Sequence, residues 1–184
     1  YAEAQAAHRA GAQVVTHLFN AMSQLGNREP GLVGAALDLP FAVGLIADGI
    51  HVAPTATRLA LRLAGERIFL VSDAMAAAGT DLTEFTLAGQ RILRREGALR
   101  LENGTLAGAD LSLPQAVKFC IEQLGVAPAQ ALAMASARPA EVIGAKAGRL
   151  APGLPADLVH LGADWALKGV WRAGVALQAK ASTE

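Results

Sequence analysis

The chain has 184 residues, of which 53% are hydrophobic and 17% charged, and its formal net charge is zero. This composition excludes a disordered chain, and the balanced charge without a run of like charges argues against a nucleic-acid partner or an anionic membrane surface. No signal peptide and no uninterrupted apolar run of about 18 residues is apparent, so we expect a cytoplasmic protein.

The first part of the chain alternates short β-rich runs with helix-length segments. Strands are predicted over residues 13–18, 41–46 and 67–72, and helical segments over residues 1–11, 31–39 and 55–64. Such alternation is typical of parallel strands joined by right-handed crossovers, so we predict an α/β fold. Three parallel strands are too few to close a barrel, and the sheet is therefore either open or part of a larger barrel.

The second part of the chain has a different pattern. Apolar and polar residues alternate from residue 84 to residue 106, which predicts a hairpin or three short antiparallel strands. Its arginines are interpreted as a solvated surface. Helices are predicted over residues 112–124, 128–135 and 139–143, followed by short strands over residues 148–150, 157–161 and 170–175. The single cysteine, Cys120, lies in an apolar stretch and is expected in the core.

Each predicted parallel strand is followed by a polar residue suited to catalysis. His17 ends the first strand, Asp48 and His51 follow the second, and Asp73 follows the third. In barrels of βα units the chemistry lies at the carboxyl ends of the strands. The sequence therefore predicts one shared site at this edge of the sheet.

The segment after the first strand combines a candidate metal ligand with a candidate anion cradle. Asn20 and Ala21 supply a side-chain amide and backbone N–H groups beside His17. Arg28 follows on a glycine-rich loop, where its guanidinium can bind a phosphate with two parallel hydrogen bonds. A core histidine without a ligand is the alternative interpretation of His17.

The other strand ends carry their own alternatives. Asp48 precedes a glycine and is either a turn residue or part of a ligand site, and His51 is a candidate ligand-binding residue. Asp73 follows four apolar residues, so we favour a general acid–base role over a turn cap. Leu106, Ala107 and Gly108 either allow a close approach of the backbone to a ligand or form a simple connector.

Several motifs in order carry a resemblance to a known family. They are residues 16–22 (THLFNAM), 28–31 (REPG), 47–51 (ADGIH), 71–75 (VSDAM), 106–108 (LAG) and 153–159 (GLPADLV). Together they resemble the N-acetylglucosamine-6-phosphate deacetylases of the amidohydrolase superfamily. The first two motifs within one segment are specific to this family, whereas the end of the last motif is only a superfamily signal.

The resemblance implies a metal-dependent hydrolase with a (β/α)8 barrel and a small β-sandwich. It implies hydrolysis of the acetamide of N-acetylglucosamine 6-phosphate to glucosamine 6-phosphate and acetate, with Zn or Fe as the divalent metal. By likeness, His17 is a metal ligand and Asp73 the general base and acid. The sugar phosphate is bound by Asn20, Ala21, Arg28, Asp48, His51, Leu106, Ala107 and Gly108. Full-length members of the family are usually dimers. The resemblance implies that Arg28 and His51 then contribute to the sugar-phosphate site of the neighbouring subunit.

The resemblance also divides the chain and exposes a departure from the family. Residues 1–147 correspond to the C-terminal part of the barrel, with a hairpin insertion near 84–106, and residues 148–184 to strands of the sandwich. The family's other metal ligands, a Glu and a His, would precede residue 1. We therefore expect an active parent enzyme and an inactive isolated chain.

Other functions stay open at this point. One alternative is a different amidohydrolase acting on a cyclic amide or on another acyl amino sugar. A second is a sugar-phosphate-binding fragment without catalysis. A third is a split protein that a partner chain completes.

Overall fold

A short parallel sheet forms the centre of the fold. The computed structural model describes residues 1–177, and its first sheet has the order β1 (Val14–Val15), β2 (Ala42–Leu45), β3 (Ile68–Leu70). Both strand pairs are parallel, with Val15 opposite Val43 and Leu45 opposite Leu70. The predicted strands are thus present, although each is shorter than its apolar run.

Helices connect and cover these strands. They are α1 (Ala2–Arg9), α2 (Gly31–Asp38) and α3 (Pro54–Ala64), followed later in the chain by α4 (Leu113–Glu122), α5 (Pro128–Ala135) and α6 (Ala137–Val142). Pro54 begins α3, where a missing N–H costs nothing. Ser112 and Gln115 form a reciprocal capping box at the start of α4. Among residues 1–177, no helix is long and apolar enough to span a bilayer.

The main core lies between the parallel sheet and the helices. Leu45 and Ile46 from the β2 region and Ile68 from β3 are fully buried, as is Met134 from α5. Cys120 is also fully buried, which confirms its prediction as a core residue. Burial raises the pKa of its thiol to about 11. The α/β prediction is confirmed by this packing of helices on parallel strands.

Arg67 joins the helix layer to the sheet. It ends a 3-10 turn (Gly65–Arg67), and its guanidinium donates to the carbonyl oxygens of Leu39 (2.7 Å) and Phe41 (2.9 Å). It also donates to the carbonyls of Ala36 and Leu37 in the last turn of α2. One side chain therefore satisfies carbonyl groups that the end of a helix leaves without partners.

The second sheet is antiparallel and has four strands, β4 (Glu84–Leu87), β5 (Gln90–Arg95), β6 (Ala98–Leu101) and β7 (Leu106–Ala109). It exceeds the predicted hairpin or three strands because β7 pairs with β6. A simple connector at residues 106–108 is therefore the wrong interpretation. A parallel bridge between Ala74 and Ala109 joins this sheet to the segment after β3.

The arginines of the second sheet form ion pairs at its surface. Arg91 pairs with Glu84 and Glu102, and all three side chains are about half exposed or more. Arg94 pairs with Asp110 at 2.7 Å. These contacts agree with the interpretation of a solvated hairpin surface.

The third sheet is antiparallel, with the order β10 (Val175–Ala176), β9 (Leu167–Arg172), β8 (Leu158–Leu161). The prediction of a strand over residues 148–150 is wrong, since these residues form an irregular turn. Gly148 has φ +80° there and packs closely against the Ser136 carbonyl. A groove of about 730 Å³ separates this sheet from α4 and α5. Residues 178–184 of the proposed sandwich lie outside the described residues.

Candidate active site

His17 lies just beyond the carboxyl end of β1. The Leu18 N–H donates to the Gly44 carbonyl at 2.8 Å, which keeps this segment alongside β2. His17 itself has φ +33°, an unusual conformation for a residue with a side chain. Its Nδ1 atom is buried and has no hydrogen-bond partner among the described residues. A free buried ring nitrogen is available to a ligand.

The turn after His17 is held by its own polar groups. The Asn20 N–H donates to the His17 carbonyl at 2.9 Å, and the Asn20 side chain donates to the Leu18 carbonyl at 3.2 Å. Ala21 has φ +50° and is exposed, and Arg28 is exposed on the following loop. Sequence reasoning missed Gln24, whose amide donates to the carbonyls of this turn. A glutamine in a loop gave no signal for that role.

Asp48 and His51 form a buried pair beyond β2. Asp48 Oδ2 and His51 Nδ1 are 2.6 Å apart, and the two side chains are 8% and 4% exposed. Asp48 Oδ1 also accepts from the backbone N–H groups of Ile50 and His51, both at 2.8 Å. The turn interpretation and the ligand-site interpretation of Asp48 are thus compatible, since one carboxylate shapes the turn and contacts the histidine.

Asp73 lies beyond β3, beside the second sheet. Its backbone has φ +50°, and its carbonyl oxygen accepts from the Ala109 N–H at 2.8 Å. The residue is exposed at the carboxyl edge. Gly108 has φ +80°, and a Cβ there would lie 2.6 Å from Met75 Sδ. The glycine therefore permits a close approach of the segment carrying Asp73 to β7.

Three of the predicted site residues share a strained backbone. His17, Ala21 and Asp73 all have positive φ without being glycine. Such conformations cost free energy and tend to cluster at functional sites, where the surrounding structure enforces them. These three residues follow β1 and β3, the two outer strands of the parallel sheet, at its carboxyl end, where the sequence predicts a site.

The electrostatics of the Asp48–His51 pair favour a charged pair. Burial by itself raises the pKa of Asp48, but hydrogen bonds from the His51 side chain and from two backbone N–H groups lower it below its usual value. The hydrogen bond to Asp48 raises the pKa of His51 against the opposing effect of burial. The charges of Asp48 and Asp73 and the carbonyl of Gly108 act in the same direction as that hydrogen bond.

The described residues offer part of a metal site at most. Among residues 1–177, no group of three or more His, Cys, Asp and Glu side chains is placed to hold a metal ion. The free Nδ1 of His17 fits one ligand position, because a neutral imidazole nitrogen is a common ligand of zinc and similar ions. A complete set of three ligands is not present among the described side chains.

The strand ends thus bring some predicted residues together and leave others apart. His51 lies near enough to the Asp73 charge and to the Gly108 carbonyl for both to raise its pKa, whereas Arg28 is exposed on its own loop. The groove of about 730 Å³ lies elsewhere, against the terminal sheet, and none of the predicted site residues lines it. The chemistry-bearing residues occupy the carboxyl edge, as expected for a βα barrel.

Polar groups at the carboxyl ends of parallel strands, in a chain that alternates strands with helices, are the arrangement of barrel-type α/β enzymes. The comparison with protein families makes this assignment specific. The model of the amidohydrolase family matches residues 1–177. The chain belongs to the amidohydrolase family.

Individual relatives agree with this assignment. An N-acetylgalactosamine-6-phosphate deacetylase of Escherichia coli O157:H7 is 42% identical over 175 residues, which cover 94% of this chain and 46% of that protein. The crystal structure of N-acetylglucosamine-6-phosphate deacetylase from Pasteurella multocida matches with a TM-score of 0.92 and 36% identity, over 95% of this chain and 47% of that chain.

A third protein extends the comparison to a complex. A mutant of N-acetyl-D-glucosamine-6-phosphate deacetylase from Mycobacterium smegmatis, solved with N-acetyl-D-glucosamine-6-phosphate, matches with a TM-score of 0.87 and 38% identity, over 96% of this chain and 48% of that chain. The chain spans about half the length of these three proteins. The predicted likeness to sugar-phosphate deacetylases and to part of a barrel is confirmed.

Proposed function

We propose that this chain carries part of the site that hydrolyses the acetamide of N-acetylglucosamine 6-phosphate to glucosamine 6-phosphate and acetate. The observation that supports this most is the placement of His17, the Asp48–His51 pair and Asp73 beyond three adjacent parallel strands. Relatives named as amino-sugar phosphate deacetylases share this segment at 36–42% identity. An amide bond and a phosphate are the two features that such a site has to recognise.

Asp73 is proposed as the general base and acid. Its carboxylate accepts a proton from the attacking water and then donates it to the amine nitrogen of the departing amino sugar. Without the second transfer, the tetrahedral adduct returns to substrate. A divalent metal ion, when bound, makes water more acidic and polarises the amide carbonyl. Hydrolysis balances as amide plus water to protonated amine plus acetate.

His17 is proposed as the ligand that this chain contributes to the metal, which we expect to be Zn or Fe. Its buried Nδ1 without a partner supports this role. The other ligands are missing from the described residues, so metal binding by this chain alone is expected to be weak.

The sugar phosphate is proposed to bind along the same edge. Arg28 and His51 supply charged donors for phosphate, and residues 20–21 and 106–108 supply amide and backbone groups for the sugar, with Asp48 behind His51. Arg28 is exposed on its loop, which suits the implied homodimer in which it serves the neighbouring subunit's site. His51, for which the resemblance implies the same role, is only 4% exposed and is acted on by the Asp73 charge of its own chain, so it is proposed to serve its own subunit. That dimer is expected in the cytoplasm.

The chain is proposed to divide near residue 148. Residues 1–147 then belong to the barrel, with the second sheet as an insertion, and residues 148–184 to a small sandwich. The change from α6 to the antiparallel terminal strands supports this boundary. The second sheet extends to Ala109 rather than to residue 106.

A second candidate substrate is N-acetylgalactosamine 6-phosphate. The relative from Escherichia coli O157:H7 is named for this sugar and is 42% identical to the chain. The two sugars differ in the orientation of one hydroxyl group, while the amide and the phosphate are the same. The proposed roles of His17, Asp73 and Arg28 therefore hold for either sugar.

Acetate release tests both substrates. Residues 1–177 would replace the matching segment of the Escherichia coli O157:H7 relative, and the chimera would be assayed with each sugar phosphate beside the 184-residue chain with added Zn²⁺. Activity in the chimera and none in the chain alone is the expected result. Asp73→Asn should lower the chimera's kcat by about 10²–10⁴-fold, the usual contribution of acid–base catalysis.

Asp81→Asn serves as the matched control, because Asp81 is an exposed aspartate on the loop that follows. It should leave acetate release unchanged. A folded chimera that hydrolyses neither sugar would exclude deacetylation and favour another amidohydrolase substrate. Binding of sugar phosphate without hydrolysis would favour the non-catalytic alternative, and undiminished activity of the Asp73→Asn chimera would remove Asp73 from the mechanism.

A further inference from the structure

The carboxylate of Asp48 is fully engaged by its own loop. Its Oδ1 accepts from two backbone N–H groups at 2.8 Å, and its Oδ2 lies 2.6 Å from His51 Nδ1. An ionised carboxylate only accepts hydrogen bonds, so His51 Nδ1 must carry a proton. Little capacity is left on Asp48 for a direct contact with a ligand.

The other nitrogen of the His51 ring, Nε2, is buried and makes no hydrogen bond among residues 1–177, although the Gly108 carbonyl is close enough to the ring to raise its pKa. The whole side chain is only 4% exposed. Buried polar atoms in native proteins are nearly always hydrogen-bonded, so an unpaired ring nitrogen marks a position where a ligand atom belongs.

The loop that holds the pair is fixed by close packing. Gly49 has φ +75°, and a Cβ at this position would lie 2.9 Å from the Phe119 ring on α4. Any larger residue would both strain the backbone and displace the ring. The Asp48–His51 pair is therefore presented from a rigid turn, with His51 Nε2 in a defined position.

The charged and polar groups around His51 come from three elements. Asp48 contacts it from the same loop, Asp73 acts on it from the segment after β3, and the Gly108 carbonyl acts from β7. All of them favour the protonated ring, and they raise the pKa of His51 against burial. A protonated His51 carries an N–H donor at Nε2 as well as at Nδ1.

We propose that Asp48 is a positioning residue that holds His51 as an imidazolium, with its Nε2–H group directed at an anionic oxygen of the substrate's phosphate. This assignment rests on the proposed function, since a sugar phosphate supplies the anion. Asp48 acts through His51 and does not touch the substrate. Removing its charge should therefore change the protonation of a ring that the substitution leaves in place.

Asp48→Asn separates this role from a purely structural one. The amide oxygen of Asn still accepts the two backbone N–H groups, so the turn is kept. The amide nitrogen, however, is a donor and favours a ring whose Nδ1 lacks a proton. Asp81→Asn, on an exposed loop, is the matched control.

The measurement is ¹⁵N NMR of the histidine rings in the 184-residue chain as a function of pH, with His51 assigned by the signal lost in His51→Gln. In the wild type, His51 should titrate above the ordinary histidine pKa of 6.5 and lose its proton from Nε2. In Asp48→Asn the midpoint should fall by about one pH unit or more, and the neutral ring should keep its proton on Nε2 instead.

Inorganic phosphate provides the second readout. At a pH where only wild-type His51 is protonated, phosphate should shift the wild-type His51 signals at concentrations at least about tenfold lower than in Asp48→Asn, as expected for loss of a charge-assisted hydrogen bond. Asp81→Asn should behave as the wild type. An unchanged His51 midpoint in Asp48→Asn, or an equal phosphate response in both proteins, would overturn the proposal.

If Asp48→Asn does not fold, the ¹⁵N NMR titration of His51 in the wild type still tests the proposal. A neutral wild-type His51 with its proton on Nε2 would contradict the contact with Asp48. Absence of acetate release from the chimera, with the expected titration and phosphate response, would reject the proposed function and leave the role of Asp48 intact.

Discussion

The Ala109 N–H donates a hydrogen bond of 2.8 Å to the carbonyl oxygen of Asp73. This bond ties the last residue of β7 to the segment that follows β3. Ala74 and Ala109 also form a parallel bridge. The end of β7 therefore runs parallel to the segment that follows β3. The position of Asp73 consequently depends on the second sheet as well as on the strand that precedes it.

Gly108→Ala should destabilise this junction. The new Cβ would lie 2.6 Å from Met75 Sδ and 3.1 Å from the Asp73 carbonyl oxygen, at a φ of +80°. We expect the free energy of unfolding, measured with urea, to fall by about 1–3 kcal/mol from backbone strain and the close contact.

Gly104→Ala is the control for backbone strain alone. Gly104 has φ +87°, and nothing lies within 4 Å of a Cβ built there. The difference between the two variants therefore measures the close approach at Met75. Equal losses of stability at both positions would show that this approach has no energetic importance.

Arg67→Lys should be strongly destabilising although it preserves the charge. Arg67 donates to four carbonyl groups around the end of α2, and a lysine cannot reach them with the same planar set of donors. We expect a loss of about 2–3 kcal/mol from carbonyls left without partners. Arg62→Lys, exposed on α3, should change the free energy of unfolding by less than about 0.5 kcal/mol. Similar values for the two variants would contradict the bridging role of Arg67.

The Asp48–His51 pair should make stability depend on pH in a defined direction. The pKa of His51 is raised from 6.5, so its contribution is complete below that pH and is lost as the pH rises through the folded-state value. The pKa of Asp48 is lowered from 3.8, so its contribution is complete above that pH and is lost as the pH falls through the folded-state value. Both contributions are therefore present between pH 3.8 and pH 6.5.

Comparison of the wild type with Asp48→Asn tests this dependence. The difference in free energy of unfolding should be largest near pH 5, about 2 kcal/mol for a charge-assisted hydrogen bond, and smaller at pH 9. A difference that stays constant from pH 5 to pH 9 would show that His51 keeps one protonation state over that range.

Arg28→Ala should separate recognition of phosphate from chemistry. In the deacetylase chimera, the KM for the sugar phosphate should rise by about 10–100-fold, the equivalent of one charge-assisted interaction, with little change in kcat. Arg62→Ala, an exposed arginine on α3, should leave KM unchanged. An equal loss of activity toward the sugar without phosphate would assign Arg28 to folding or assembly instead.

The strand ends could be predicted because their signal is local. Four apolar residues before Ser72 and Asp73, and a similar run before Asp48, mark buried parallel strands whose ends carry the polar groups. The resemblance to the deacetylases was also carried by motifs around these residues. Those positions are identified without knowledge of any long-range contact.

Other features depend on contacts that the sequence does not display. The guanidinium of Arg67 binds carbonyls 26–31 residues earlier in the chain, and nothing near Arg67 indicates them. Strand β7 consists of one leucine and three small residues without polar alternation, so only its pairing with β6 defines it. The positive φ of His17 and Asp73 could not be predicted either, because few residues other than glycine adopt it even though Asp and His do so more often than most.

The two hydrophobic clusters imply that the chain opens in stages. Ala77, Ile92 and Leu99 form a small cluster under the second sheet, whereas the parallel sheet shares a much larger cluster with the helices. Free energies of local opening follow such differences in buried apolar contact. Amide hydrogens of β5 should therefore exchange with deuterium before those of β2. Because the Asp73 carbonyl is bonded to the end of β7, transient opening of the second sheet should also release the segment that holds Asp73 at the carboxyl end of the parallel sheet.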